Sequence, residues 1–308
     1  MEIDGDAERM YTAYKPLLFS LAYRMLGSVM DAEDIVQEAF LYMNEKNPQG
    51  IQKPKAYLCK IVTNRCIDKL RSASKMREVY VGPWLPEPLM TTTAESLDDA
   101  PERFYSQKES LSTAYLLLLQ QLSWVERAVF ILREVLQYDY EEIAEIVCKS
   151  STNCRQIFRR AKNAISTFAN QDDPDTGGMR SKQPVKEQAN AVVEQFVQAL
   201  VSGNMAQLLN IVKTDAVLYS DGGGKVRAAI RPIEGAERIA LFLSGILAKV
   251  PVGFSFALTT VNGQLGVVSY QDGQANNVMT FHVEDNRVAA VYLVVNPDKL
   301  RHVASIEV

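Results

Sequence analysis

Between Asp172 and Gly178 the hydrophobic spacing of this chain changes its period, and that change constrains the fold more than any other feature. Before it, apolar residues recur every three or four positions, the spacing of one helix face. The first example is Met10, Tyr14, Leu17, Leu18, Leu21, Ala22, Met25 and Leu26. Beyond the Asp172-Asp-Pro-Asp-Thr-Gly-Gly178 break, most segments alternate residue by residue, as half-buried strands do. One packed layer cannot serve both periods, so the chain is expected to be multidomain: all-α in front, α+β behind. Its 308 residues suffice for two or three domains.

In the rear part, helices are expected at Pro184–Val201, Met205–Val212 and Ala236–Val250. Strands are expected at Val217–Ser220, Val226–Arg231, Phe254–Val261, Leu265–Gln271, Val278–Val283 and Val288–Val295. Asn262-Gly263, Asp272-Gly273 and Asp285-Asn286 mark hairpin turns between them.

The front part carries an inversion of charge. Ile35, Val36, Ala39, Phe40 and Met43 form the apolar stripe of a helix whose remaining surface holds Asp31, Glu33, Asp34 and Glu38. Gly27 is placed to stop the preceding helix, and Ser28 or Asp31 to cap this one. Asn47-Pro-Gln-Gly50 breaks it. A second helix follows from Lys55 to Arg71, with Pro54 in its first turn and Leu58, Ile61, Val62 and Leu70 inward. From Lys46 to Arg77 the bases Lys46, Lys53, Lys55, Lys60, Arg65, Lys69, Arg71, Lys75 and Arg77 face one acid, Asp68. Either helix alone is most simply a solvated face. Side by side, the acidic one suits a basic protein surface and the basic one a phosphate backbone.

A further basic helix strengthens that reading. Leu111–Leu122 is apolar and helical, Ser123-Trp-Val-Glu126 has the capping-box pattern, and a helix from Val125 to Val135 follows. Tyr140–Val147 and Ser151–Phe168 are then two helices across the turn Cys148-Lys-Ser150, the layout of a helix-turn-helix. In the second, Cys154, Ile157, Ala161, Ile165 and Phe168 line one face, while Asn153, Arg155, Gln156, Arg159, Arg160 and Lys162 point outward.

Composition closes off other classes. The net charge of −4 averages over the local inversion and excludes nothing. The acidic start, Met-Glu-Ile-Asp-Gly-Asp, is unlike a signal peptide, and no run approaches the roughly 18 apolar residues of a span. A cytoplasmic protein without membrane contact is expected. Cys59, Cys66, Cys148 and Cys154 form no Cys-x-x-Cys pair, and His282 and His302 lie far from them, so reduced thiols are expected and neither metal nor cofactor. Cys59 and Cys66, seven apart on one helix, are placed to share a buried face. Between Val79 and Gln107 periodicity collapses, and Trp84 within that polar linker is expected to dock on a neighbouring domain.

Asp31-Ala-Glu-Asp-Ile-Val-Gln-Glu-Ala-Phe40 resembles the core-polymerase-binding helix of bacterial sigma factors of the extracytoplasmic-function type. Pro54–Arg71 resembles their promoter-melting and −10-reading segment, and Tyr140–Val147 with Asn153–Lys162 their −35-reading helix-turn-helix. Trp84-Leu-Pro-Glu-Pro88, Asp221-Gly-Gly-Gly-Lys225 and Asn296-Pro-Asp-Lys-Leu300 are similar to the hallmarks of a subfamily with a C-terminal SnoaL-like domain. The resemblance divides the chain into a first sigma domain at 1–78, a linker at 79–108, a second sigma domain at 109–170, a linker at 171–183 and a SnoaL-like α+β cone at 184–308.

It also implies roles. Asp31, Glu33, Asp34 and Glu38 would face the basic coiled coil of the largest polymerase subunit, and the loop Asn44–Lys53 would pocket a flipped −10 base. Asn64 and Asp68 would touch −10 bases, with Lys60, Arg65 and Arg71 on phosphates. Arg155 and Arg159, aided by Asn153 and Gln156, would read −35 bases, while Ser150, Arg160 and Lys162 position the helix on the backbone. Trp84 and Pro86, Asp221, Gly222, Gly223, Gly224 and Lys225, and Asn296, Pro297, Asp298, Lys299 and Leu300 would form a regulatory contact. That contact would act in cis and replace a separate membrane anti-sigma factor. Cys148 departs from the usual turn glycine, at a cost of roughly 1 kcal/mol for a left-handed backbone. Asp221 abuts three glycines and a lysine, which reads as an exposed loop rather than the dry pocket of a catalytic base, so an enzyme is not expected. The competing reading is a one-component DNA-binding regulator whose SnoaL-like half binds or converts a small molecule.

Overall fold

The computed structural model describes residues 3–46, 53–77, 79–90, 111–170 and 186–306, and the chain separates into two compact units. The loop at 47–52, the stretch 91–110 and the stretch 171–185 lie outside the described residues.

The first unit is helical. Helix α1 (Ile3–Leu26) buries Leu17, Leu18, Leu21, Ala22 and Met25, and ends where Gly27 turns to φ 69°. Ser28 Oγ then accepts from the Asp31 N–H at 3.1 Å and caps α2 (Val29–Lys46). All five stripe residues of α2, from Ile35 to Met43, are buried. Helix α3 (Pro54–Arg77) buries Leu58, Val62 and Leu70 as the spacing predicts, leaves Ile61 half-buried, and turns Cys59 and Cys66 inward.

Helix α4 (Thr113–Gln120) follows, its first residues grouping with the second unit. Helix α5 (Trp124–Phe130) starts at the expected capping box, with Ser123 Oγ and Glu126 serving each other's backbone N–H. The expected continuous helix to Val135 instead widens into a π turn at Ile131–Val135, closed by the Leu136 N–H on the Ile131 carbonyl at 3.0 Å. Helix α6 (Tyr140–Val147) has a capping box of its own, Asp139 with Glu142. Cys148 does take the left-handed conformation, φ 53°, and α7 (Ser151–Asn170) begins with Ser150 Oγ accepting from the Asn153 N–H at 3.2 Å. Cys154, Ile157, Ala161 and Ile165 form its buried face.

The second unit holds residues 79–90 and 112–114 together with everything from Lys186 onward. Helices α8 (Lys186–Val201) and α9 (Met205–Ile211) lead into β1 (Val212–Asp221); β2 (Ile233–Glu234) and α10 (Ala236–Leu247) come next. Strands β3 (Phe254–Val261), β4 (Gln264–Gln271), β5 (Gln274–Glu284) and β6 (Arg287–Val294) form an antiparallel meander, and β1 joins β6 in parallel. The sheet order is β2-β1-β6-β5-β4-β3. Register shifts at Ser269/Tyr270 and His282/Val283 bend it, as bulges do. One face packs Leu218, Val267, Met279, Phe281, Val291 and Leu293 against α8, α9 and α10, where Phe196 meets Phe281 edge-on at 5.1 Å. This is the expected α+β cone.

Two expectations fail in this unit. Residues 226–231 form no strand; the glycines before them turn the chain away from the sheet, Gly223 and Gly224 at φ 58° and 71°. Asp221 is not in an exposed loop. It is the last residue of β1, paired with Val294, and is fully buried; the glycines begin only beyond it.

Candidate nucleic-acid interface

On the first unit the acidic and basic helices are linked to each other. Lys69 Nζ reaches Asp31 Oδ1 at 2.6 Å, and Arg65 pairs with Glu38. Glu33 and Asp34 are exposed on α2. Along α3, Asn64, Asp68 and Arg71 are exposed and Lys60 is half-buried, with Arg71 on Asp68 at 3.2 Å one turn away. Exposed pairs of this kind contribute about 0–1 kcal/mol each, so they yield readily to a macromolecular partner.

The helix-turn-helix shows the expected outward set. Arg155, Gln156, Arg159 and Arg160 are exposed, and Asn153 and Lys162 half-buried. Lys162 lies 3.8 Å from Glu134 and over the Phe158 ring. Arg155 Nη2 approaches Glu141 Oε1 at 3.4 Å. The packing of α3 against α6 brings Tyr138 Oη to Cys59 Sγ at 3.4 Å, with Lys55 over the Tyr138 ring. Burial pushes the Cys59 thiol up to about 11.

In the second unit the stretch at 79–90, largely apolar and proline-rich, is clasped along its length. Asp221 Oδ2 accepts from the Leu85 N–H at 2.8 Å and from Lys299 Nζ at 2.7 Å, and Asp221 Oδ1 accepts from the Tyr80 hydroxyl at 2.5 Å. Three donors thus satisfy a carboxylate withdrawn from water, which is what makes its burial tolerable. Lys299 Nζ also donates to the Leu85 carbonyl and sits 4.0 Å from the centre of the Trp84 ring. Asn296 Nδ2 donates to the Tyr80 oxygen at 3.1 Å, and Asn296 Oδ1 caps the short 3-10 helix Pro297–Leu300 through the Asp298 N–H. Burial raises the Tyr80 phenol above its ordinary value, and the hydrogen bond to Asp221 adds to the rise. A Cβ at Gly223 would collide with Asn296, so the glycine run lets the chain close over this cluster. On the outer side Lys225 pairs with Asp298, which also bonds Arg301 at 2.6 Å; the Lys225 hydrogen bond holds the Asp298 carboxyl below its usual range. Pro86 and Leu300 are buried beside these groups.

Residues 10–76 match the Sigma-70 region 2 family and residues 112–165 the Sigma-70 region 4 family. The extracytoplasmic-function RNA polymerase sigma factor SigJ of Mycobacterium tuberculosis is 31% identical over 301 residues, covering 94% of this chain and 91% of that protein. The chain belongs to the extracytoplasmic-function sigma factors. A second protein of that organism, described as the probable extracytoplasmic-function sigma factor SigI, is 23% identical over 94% of this chain and 93% of its own. The crystal structure of SigJ superposes with a TM-score of 0.74 at 28% identity, covering 94% of this chain and 97% of the other.

As a sigma factor the protein binds the RNA polymerase core and promoter DNA and directs transcription initiation. Among the described residues no helix is long and apolar enough to cross a membrane. The expected contact residues of the rear half, from Asp221 to Lys225 and from Asn296 to Leu300, come together around Tyr80, Trp84 and Leu85 of this sigma factor. Sequence reasoning missed the second pole of that clasp. Asn262 exchanges hydrogen bonds with Leu89, and His302 Nε2 donates to the Pro88 carbonyl at 2.6 Å. It also missed Tyr80 and the bond of 2.8 Å between Thr113 Oγ1 and Thr280 Oγ1. The only signal for Asn262 was its Asn-Gly turn, which reads as a hairpin and nothing more.

Proposed function

We propose that this sigma factor grips the basic coiled coil of the largest polymerase subunit through Asp31, Glu33, Asp34 and Glu38. Its α3 opens and reads the −10 element with Asn64 and Asp68, while Lys60, Arg65 and Arg71 hold phosphates. Helix α7 reads the −35 element with Arg155 and Arg159, assisted by Asn153 and Gln156 and positioned by Ser150, Arg160 and Lys162. The C-terminal unit regulates initiation in cis, in place of a separate membrane anti-sigma factor, by fixing the connection between the two DNA-reading parts.

The observation that carries the regulatory reading is the pinning of that connection at both ends. Tyr80 and Leu85, just after α3, bond Asp221; Thr113, at the start of α4, bonds Thr280 on β5. A pinned connection restricts the separations that the −10 and −35 readers adopt. A free one of the same length samples many.

Run-off transcription with core polymerase, on promoters whose spacer is lengthened or shortened by single base pairs, tests this. Wild type is expected to prefer one spacer sharply, and Tyr80→Phe or truncation after Gln171 to flatten the preference. An unchanged spacer profile in both would overturn regulation through the linker. Charge reversal at Asp34 and Glu38 is expected to abolish co-purification with the core. Retained co-purification would remove the acidic helix from the docking surface.

A further inference from the structure

We infer that Tyr140 and Glu141, at the start of α6, are positioning residues that hold Arg155 of α7 ready to read its base pair; the inference rests on the proposed role of Arg155 as a −35 reader. Arg155 is exposed, and a long exposed side chain samples many rotamers, each of which must be given up on binding. Here two neighbours restrict it. Its guanidinium carbon lies 5.3 Å from the centre of the Tyr140 ring, and its Nη2 lies 3.4 Å from Glu141 Oε1. A guanidinium against an aromatic face with a carboxylate on one edge keeps other N–H donors of its fork for a base.

The ring that orders Arg155 is itself ordered. Tyr140 meets Phe158 edge-on at 6.2 Å, and Phe158 stacks on Phe130 at 6.0 Å. Arg133 lies 4.8 Å from the Tyr140 ring centre, and its Nη1 donates to the Tyr138 carbonyl at 2.8 Å, bracing the chain just before α6. Arg133 belongs to the π turn, which thus carries one of the supports of the Tyr140 ring. Helix α6 therefore contributes to sequence reading without having to touch a base.

The test measures holoenzyme binding to a panel of promoters with every single substitution in the −35 element, using full-length wild type, Arg155→Ala, Tyr140→Phe, Tyr140→Leu and Glu141→Gln. Arg155→Ala is expected to lose discrimination at one base pair. Tyr140→Leu is expected to lose about two- to fivefold of it at that same base pair and nowhere else, with Tyr140→Phe, which keeps the ring, restoring it. Glu141→Gln, an exposed change that spares the core, is expected to weaken discrimination at the same place and serves if Tyr140→Leu does not fold. If Arg155→Ala relaxes one position and neither Glu141→Gln nor a folded Tyr140→Leu affects it, the positioning role is overturned while base reading by Arg155 stands. If Arg155→Ala leaves every position unchanged, the base-reading role falls, and the positioning role with it. A loss spread evenly over all positions in Tyr140→Leu, not matched by Glu141→Gln, marks Tyr140 as purely structural and also overturns it.

Discussion

The backbone N–H of Asn262 donates to the Leu89 carbonyl at 2.8 Å, and the Leu89 N–H donates back to Asn262 Oδ1 at 3.0 Å. One asparagine thus satisfies both polar groups of a residue that belongs to no strand. It does so with a left-handed backbone, φ 53°, which the Asn-Gly turn between β3 and β4 provides, and next to it Met90 forms an isolated bridge with Val261.

Asn262→Gly keeps the turn and removes the buried side-chain amide, so it is expected to cost about 1–3 kcal/mol, with the Leu89 N–H left behind. Asn262→Ala adds roughly 1 kcal/mol of left-handed strain. Hydrogen exchange checks the pair: protection of the Leu89 amide should fall in both, and global stability should fall further in the alanine variant.

Asp221 and Lys299 form a buried pair, and removing one partner strands the other charge. Asp221→Asn or Lys299→Met alone is expected to destabilise by about 3–5 kcal/mol, and the double variant by clearly less than the sum. Denaturant unfolding of the four proteins completes the cycle, and additive losses would show that the two charges do not depend on each other.

The folded state raises the Cys59 thiol from 9.0 to about 11 through burial, so the neutral thiol is the favoured form. The stability this group contributes is complete below pH 9.0 and is lost as pH rises through about 11. At pH 8, Cys148, which is exposed, is expected to react with iodoacetamide while Cys59 stays protected. Adding core polymerase should expose Cys59 if docking parts α3 from Tyr138; mass spectrometry of the alkylated peptides reports both.

Arg155 and Lys162 should separate in promoter binding. Arg155→Ala is expected to relax preference at one −35 base pair, a loss of about 1–3 kcal/mol confined to that position. Lys162→Ala should weaken every sequence alike and reduce the salt slope by about 1. A uniform loss in both variants would merge the two roles.

The elements of the first unit were largely legible because their information is local. The stripe of α2, the capping box at Ser123 and the turn at Ser150 each need only residues three or four apart. The π turn at Ile131–Val135 was not legible, since its residues keep an apolar helical pattern while the hydrogen bonding shifts by one. Strands β3 to β6 followed their alternation and turn residues, whereas 226–231 alternated in sequence without a neighbouring strand to pair with. The ion pairs of Asp31 with Lys69 and Glu38 with Arg65 also escaped, because like-signed runs give no sign of which helix faces lie against each other.

By itself the sequence determined where most of the described helices and strands lie, which faces carry charge, and which chain segments share a hydrophobic period. Only the tertiary structure decided what becomes of Asp221. Read along the chain it precedes three glycines; in the folded unit it meets Tyr80 and Leu85, which lie 141 and 136 positions away, and Lys299, 78 positions away. Secondary-structure period reports which side of a strand a residue occupies. Which distant groups wait on that side is set by sheet order and register, and these are fixed by the summed packing of the whole unit rather than by any local run of residues.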